Sequence, residues 1–207
     1  MSPSPAASRM SPMTRSSRVT LAVAAVALAL VYLLPLWHVA LRAPQYPEGL
    51  GMYIAINKVV GAKPHDLANI NNLNHYIGMK MIVPEAIPEL RFMPMLAGGL
   101  IGLGLLAALT GKRPLLYLWV GLFAAGVVAG LADFYRWGYD YGHNLDPHAI
   151  IKIPGMSYQP PLIGSKQLLN FHADSWPASG GWVLAAALLT GMWLARREFR
   201  SARRSPA

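Results

Sequence analysis

Residues 19–41, VTLAVAAVALALVYLLPLWHVAL, run without a single Asp, Glu, Lys or Arg. About 20 such residues in a helix cross the roughly 30 Å hydrocarbon core of a bilayer, so the stretch reads as a membrane span. Its apolar region outruns the roughly 7–15 residues of a secretory signal core, which favours an uncleaved anchor over a cleaved leader. Three further stretches read the same way: 93–109, 115–133 and 180–195. The shorter two are rich in Gly and Ala, and Gly98, Gly99, Gly102, Gly104, Gly126, Gly130, Gly180 and Gly181 are expected to let helix backbones approach, as membrane packing requires.

The charge between these stretches alternates. Arg9, Arg15 and Arg18 precede the first, Lys112 and Arg113 separate the second from the third, and Arg196, Arg197, Arg200, Arg203 and Arg204 follow the fourth. Only Glu198 opposes them there. The other eight of the 18 basic residues share residues 42–92 and 133–179 with eight of the nine acids, so the formal net charge of +9 belongs wholly to alternate segments. That is the pattern of cytoplasmic flanks. It also argues against nucleic acid as a partner, because the basic residues flank spans and do not gather on one soluble face.

The expectation is an all-α integral membrane protein of the bacterial inner membrane, with membrane lipid as its surroundings. Four transmembrane helices carry two long periplasmic loops that form a small cap, and both termini are cytoplasmic. Its segments are a disordered leader (1–18), spans at 19–41, 93–109, 115–133 and 180–195, periplasmic loops at 42–92 and 134–179, a cytoplasmic turn at 110–114 and a basic tail at 196–207. No ionisable residue lies in the middle of a span, which disfavours an ion-coupled transporter and a haem held inside the bundle. His38, beside Trp37, reads as an interfacial residue.

Chemistry then belongs to the loops. Both hold aromatic and branched apolar residues, so they are expected to fold against each other with Trp137 and Tyr76 buried. Residues 66–77 read as a short helix with Asp66 as N-cap and Gly78 just past its end. The Pro-rich run 153–161 reads as extended. Five of the six histidines (His65, His75, His143, His148, His172) lie in the loops with Met52, Met79, Met81 and Met156, and the chain has no cysteine. Imidazole and thioether ligands together suit Cu(I) and need no thiolate, which an oxidising compartment would endanger. His75 and Met79 are spaced i, i+4, a two-ligand clip if the helix continues that far. His143 and Met156 are the counterparts in the second loop. Against this stands the plain reading of each: a hydrogen-bonded loop His, or a Met filling an apolar gap. No nucleophile elbow, phosphate loop or zincin helix is present, and the chain is not read as an enzyme.

Four motifs carry a resemblance: Ala43-Pro44-Gln45-Tyr46-Pro47-Glu48-Gly49-Leu50, Asn74-His75-Tyr76-Ile77-Gly78-Met79, Tyr141-Gly142-His143-Asn144-Leu145-Asp146-Pro147, and the run from Pro154-Gly155-Met156 to Gly164. Over about residues 33–182 the chain resembles small bacterial membrane proteins of copper-handling gene neighbourhoods, often those for maturation of nitrous oxide reductase. The resemblance implies an accessory role in delivering copper to a periplasmic copper enzyme, directly or with a copper chaperone. It carries over His75, Met79, His143 and Met156 as Cu(I) ligands, with His65, His148 and His172 auxiliary at most. The family's better-known chaperone is a Cys-bearing lipoprotein, which this Cys-free chain is not. The competing expectation is a metal-free assembly factor whose loops form a docking platform.

Overall fold

The first apolar stretch does not stay helical to its end. In the computed structural model, which describes residues 12–168 and 170–204, α1 (Arg15–Ala27) tightens into a 3-10 segment (Leu28–Tyr32) and stops short of Pro35. Proline offers no N–H and disfavours helix in the residue before it. Beyond the proline the chain extends into a strand, β1 (Trp37–Ala43). Trp37, Val39 and Leu41 fall on one face and His38, Ala40 and Arg42 on the other, the period of two that a half-buried strand needs.

Four more strands join it: β2 (Tyr46–Ile54), β3 (Val59–Gly61), β4 (Gly164–Leu168) and β5 (Phe171–Pro177). The sheet is antiparallel throughout, in the order β3-β2-β1-β5-β4. The all-α expectation is therefore corrected. The chain is a mixed α/β structure: the end of the expected first span supplies most of β1, the first loop β2 and β3, and the second loop β4 and β5, with β1 pairing β5. The loops do fold against each other, through main-chain pairing as well as side chains.

The span count is corrected too. Among the described residues, three helical segments are long and apolar enough to cross a membrane: residues 15–32, α3 (Glu89–Thr110) and α4 (Arg113–His143). The fourth stretch lies in α5 (Ser179–Arg204), whose apolar run is diluted by Ser179 and two glycines at one end and by arginines at the other. α5 packs against α1 and α4. The helices meet around Trp119, which is fully buried, stands edge-on to Phe123 and donates its Nε1–H to the Leu100 carbonyl at 2.8 Å. Gly104 and Gly191 give that indole its room: a Cβ on Gly104 would lie 2.8 Å from both Trp119 Nε1 and Ala25 Cβ. Close packing is met at Gly104, Gly180 and Gly181, whereas Gly99, Gly102, Gly126 and Gly130 border open space. Val23, Leu96, Leu109, Leu118, Val128 and Leu189 point outward, the surface a lipid-facing bundle presents.

One end of the bundle gathers the basic segments. Arg18 donates to the Ala108 and Leu109 carbonyls at the end of α3 (2.7 and 2.5 Å), where cationic side chains are favoured. Buried Glu198 on α5 accepts from Ser17 Oγ (2.6 Å), Arg113 Nε (2.9 Å) and the Thr14 N–H (3.3 Å). The start of α1, the start of α4 and the end of α5 are thus tied together. The sheet occupies the opposite end. The expected leader falls partly outside the described residues, and its final part, from Arg15, is already helix.

α4 is the element that positions the cap. Its 31 residues measure about 46 Å at ~1.5 Å per residue, against about 33 Å for the 22 residues of α3. Its last turns therefore project beyond the level where α3 begins. Phe134 meets Trp37 edge-on there at 5.6 Å, and Trp137 and Tyr141 pack on the sheet's apolar face together with Val39 and Met52.

Candidate functional site

The cap is closed by three backbone junctions. α2 (Asp66–Ile77) lies over β2 and β3, stapled by Asp66, whose carboxylate accepts from the Gly51 and Lys63 N–H groups at 2.9 and 3.1 Å. Asp66 is thus not the N-cap. His65 holds that position, with φ 70°, and Asp66 begins the helix while its side chain reaches back to the sheet. From the second loop, Asp146 N–H donates to the Gly78 carbonyl (2.8 Å) and Ile151 N–H to the Tyr76 carbonyl (2.9 Å). Further along, Tyr158 N–H donates to the Gly142 carbonyl (2.9 Å), laying the Pro-rich run beside the tip of α4. Lys80 adds an ion pair to Asp140 on α4 at 2.6 Å.

These junctions join the segments that carry the four expected ligands, each of which has its own surroundings. Gly78 adopts φ 80° and ends α2 at Ile77, so the i, i+4 relation of His75 and Met79 dissolves. His75 stays on the exposed side, its ring edge-on to Tyr76 at 6.1 Å. Met79 leaves the helix and lines a partly open apolar pocket. His143, the last residue of α4, is exposed: its ring stacks on Tyr139 at 3.9 Å and its Nδ1 lies 3.0 Å from the Tyr139 carbonyl. Met156 is half-buried in the turn that follows Ile153. Among the described residues no three His, Asp or Glu side chains converge.

Of the auxiliary histidines, His172 has a side-chain partner and His148 is held through its backbone. His148 N–H donates to Asp146 Oδ1 (2.7 Å), an Asx turn that makes Asp146 a loop staple. His172 belongs to the polar face of the sheet, with Nε2 3.4 Å from Asp174. His38 stacks on Tyr53 across the β1–β2 pair at 4.6 Å, a residue of the sheet and not of a span's end. Of the two aromatics expected to be buried, Trp137 is half-buried in the cap core but Tyr76 is 48% exposed.

The feature that sequence reading missed is the cavity itself. It lies between the apolar face of the sheet, α2, the tip of α4 and the run at Tyr158–Pro160, as a partly open pocket of ≈ 80 Å³. Met52 and Met79 both reach it. No Asp, Glu, Lys, Arg or His lines it. Tyr158 forms part of its wall, 3% exposed, and its hydroxyl has no hydrogen-bond partner among the described residues. The alternation of β1 and β2 was available as a signal for the sheet wall; nothing local marks Tyr158. No protein-family model matches the chain, and comparison with curated proteins finds no match.

Proposed function

We propose that this chain is a membrane-anchored accessory protein whose cap works on the non-cytoplasmic side of a bacterial inner membrane as a docking platform for an enzyme or its chaperone. A periplasmic copper enzyme such as nitrous oxide reductase is the client that the resemblance implies. The observation carrying this reading is an apolar patch at the far end of the cap. Tyr76, Ile150 and Ile151 are 48, 68 and 47% exposed, and the Ile151–Tyr76 hydrogen bond holds them together. They belong to the cap that the tip of α4 supports, and the length of α4 exceeds a bilayer core by about 15 Å. With the bundle in a bilayer and the tip of α4 outside it, this patch would face water, where an exposed apolar cluster marks a contact surface. The confinement of positive charge to the opposite end supports the orientation.

Copper binding is the second reading, and one observation favours it: Met52 and Met79, two soft thioethers, line the same apolar pocket. The two readings separate in one set of measurements. A photo-crosslinking residue at Ile151 in native membranes is expected to trap a discrete partner, while one at outward-facing Leu189 is expected to trap none. Competition with a Cu(I) chelator is expected to show no tight one-to-one complex. Stoichiometric Cu(I) uptake that is lost in both Met79→Leu and His75→Ala would replace docking by copper handling as the function. Met79→Leu is the sharper variant because it keeps the apolar volume of the site.

A further inference from the structure

We infer that the outer seam between α1 and α5, at the basic end of the bundle, holds an anionic phospholipid. Arg197, Arg200 and Ser16 receive its phosphate, and Trp193 lies beside its ester region. The inference rests on the bundle standing in a bilayer, and on neither the docking role nor the orientation of the cap. Leu189, Trp193, Arg197 and Arg200 are spaced i, i+4, i+8 and i+11, so they form one stripe along α5. Arg197 Nη1 lies 3.5 Å from Ser16 Oγ, which sets that stripe beside α1, and its guanidinium carbon stands 5.5 Å from the centre of the Trp193 ring. Two turns on from Ser16, on the same side of α1, Val23 is 64% exposed, much as Leu189 is on α5.

Charge and the order of side chains together identify the occupant. Glu198, the one acid of residues 196–204, is fully buried and turned to Arg113, Ser17 and Thr14. Among the described residues no carboxylate lies within ion-pair distance of Arg197 or Arg200. The only oxygen near Arg197 is a neutral hydroxyl at the limit of a hydrogen bond, which leaves most of its five N–H donors for a ligand. Guanidinium groups match phosphate oxygens in geometry as well as charge. Over about 16 Å of helix from residue 189 to residue 200, the seam passes from aliphatic side chains to an indole and then to guanidinium groups and a hydroxyl. A phospholipid runs through the same order: acyl chain, ester, phosphate. Trp favours the level of the membrane interface, and basic residues next to a span draw anionic headgroups. A free phosphate would engage only the arginine end and leave Val23 and Leu189 bare.

The test uses the full chain in phosphatidylcholine nanodiscs titrated with a lipid brominated on its acyl chains, either phosphatidylglycerol or phosphatidylcholine, because bromine quenches an indole that it touches. The signal of Trp193 is the difference between each protein and its own Trp193→Phe version. Half of that signal is expected to be lost at a roughly fivefold lower fraction of the phosphatidylglycerol than of the phosphatidylcholine. In the Arg197→Gln, Arg200→Gln double variant the two fractions should coincide. The Lys112→Gln, Arg203→Gln pair removes the same charge from the turn before α4 and from beside the Phe199 ring, and should keep the preference. Equal quenching by the two lipids in wild type would overturn the inference, and so would a preference that survives the loss of Arg197 and Arg200. Disappearance of the preference in the Lys112→Gln, Arg203→Gln protein would overturn it as well, by showing a diffuse surface charge where the seam was expected. A chain that does not enter the nanodiscs would remove the bilayer reading itself, and the seam site with it.

Discussion

Replacing Glu198 with alanine is expected to remove about 3–5 kcal/mol of folding stability, because it leaves the Arg113 guanidinium buried without its carboxylate. Both side chains of the pair are nearly or fully enclosed, at 5% and 0% exposure, and sit 2.9 Å apart. The loss should extend beyond one ion pair. Ser17 Oγ and the Thr14 N–H also donate to this carboxylate, so the substitution strips the start of α1 of its tie to α5. Thermal unfolding in detergent should show the midpoint falling by about 10 °C or more. Burial alone would raise the Glu198 pKa, but the hydrogen bonds from Ser17 and Arg113, joined by the Thr14 N–H and the guanidinium charge, outweigh it and hold the carboxyl below its usual value of 4.5. A carboxyl with a depressed folded-state pKa stabilises fully above its unfolded value and loses that contribution as pH falls through the folded one. The wild-type midpoint should therefore drop on acidification below pH 4.5, and the Glu198→Ala midpoint should respond less. Equal midpoints for the two proteins at pH 7 would show the cluster to be dispensable.

The second large effect is expected at Gly142, near the tip of α4. A Cβ there would lie 2.8 Å from Gln159 Cβ and nearer still to that residue's backbone, in the run that carries Tyr158. Backbone cannot swing away as a side chain can. Gly142→Ala must push the 156–161 run outward and stretch the Tyr158–Gly142 hydrogen bond, at a combined cost of about 2–4 kcal/mol. The damage should be confined to the cap, since the bundle around Trp119 has its own buried core. Amide hydrogen exchange of Tyr158 should accelerate by roughly thirtyfold or more, with α3 and the first half of α4 unchanged. Unaltered exchange at Tyr158 would mean that the run does not rest on α4.

The ends of the bundle were legible because charge patterning is a long-range signal read by counting: Arg18, Lys112, Arg113 and the run after residue 195 do gather at one end. The strands were hidden for a physical reason. Residues 34–41 continue the apolar run of the first helix without an Asp, Glu, Lys or Arg, and only Pro35 and the alternation from Trp37 to Arg42 distinguish strand from span. In α4 the error ran the other way. Asp133, Arg136 and Asp140 made residues 134–143 look like loop, yet they continue the helix with Trp137 and Tyr141 turned to the cap core. At the candidate site, the i, i+4 spacing of His75 and Met79 was real, but Gly78 in a left-handed conformation cancels it. Tyr158 could not have been found from sequence, because its hydroxyl stands out only for what packing fails to supply.

Docking and copper handling alike require the cap to stand outside the cytoplasm while the basic end stays within. The chain has no cysteine, so single-cysteine variants can be read without background. A membrane-impermeant maleimide applied to spheroplasts should label Ile150→Cys, at the exposed cap tip, and should reach Lys112→Cys only after the membrane is permeabilised. Labelling of Lys112→Cys from outside, with Ile150→Cys protected or equally reactive, would contradict that orientation and both functions with it.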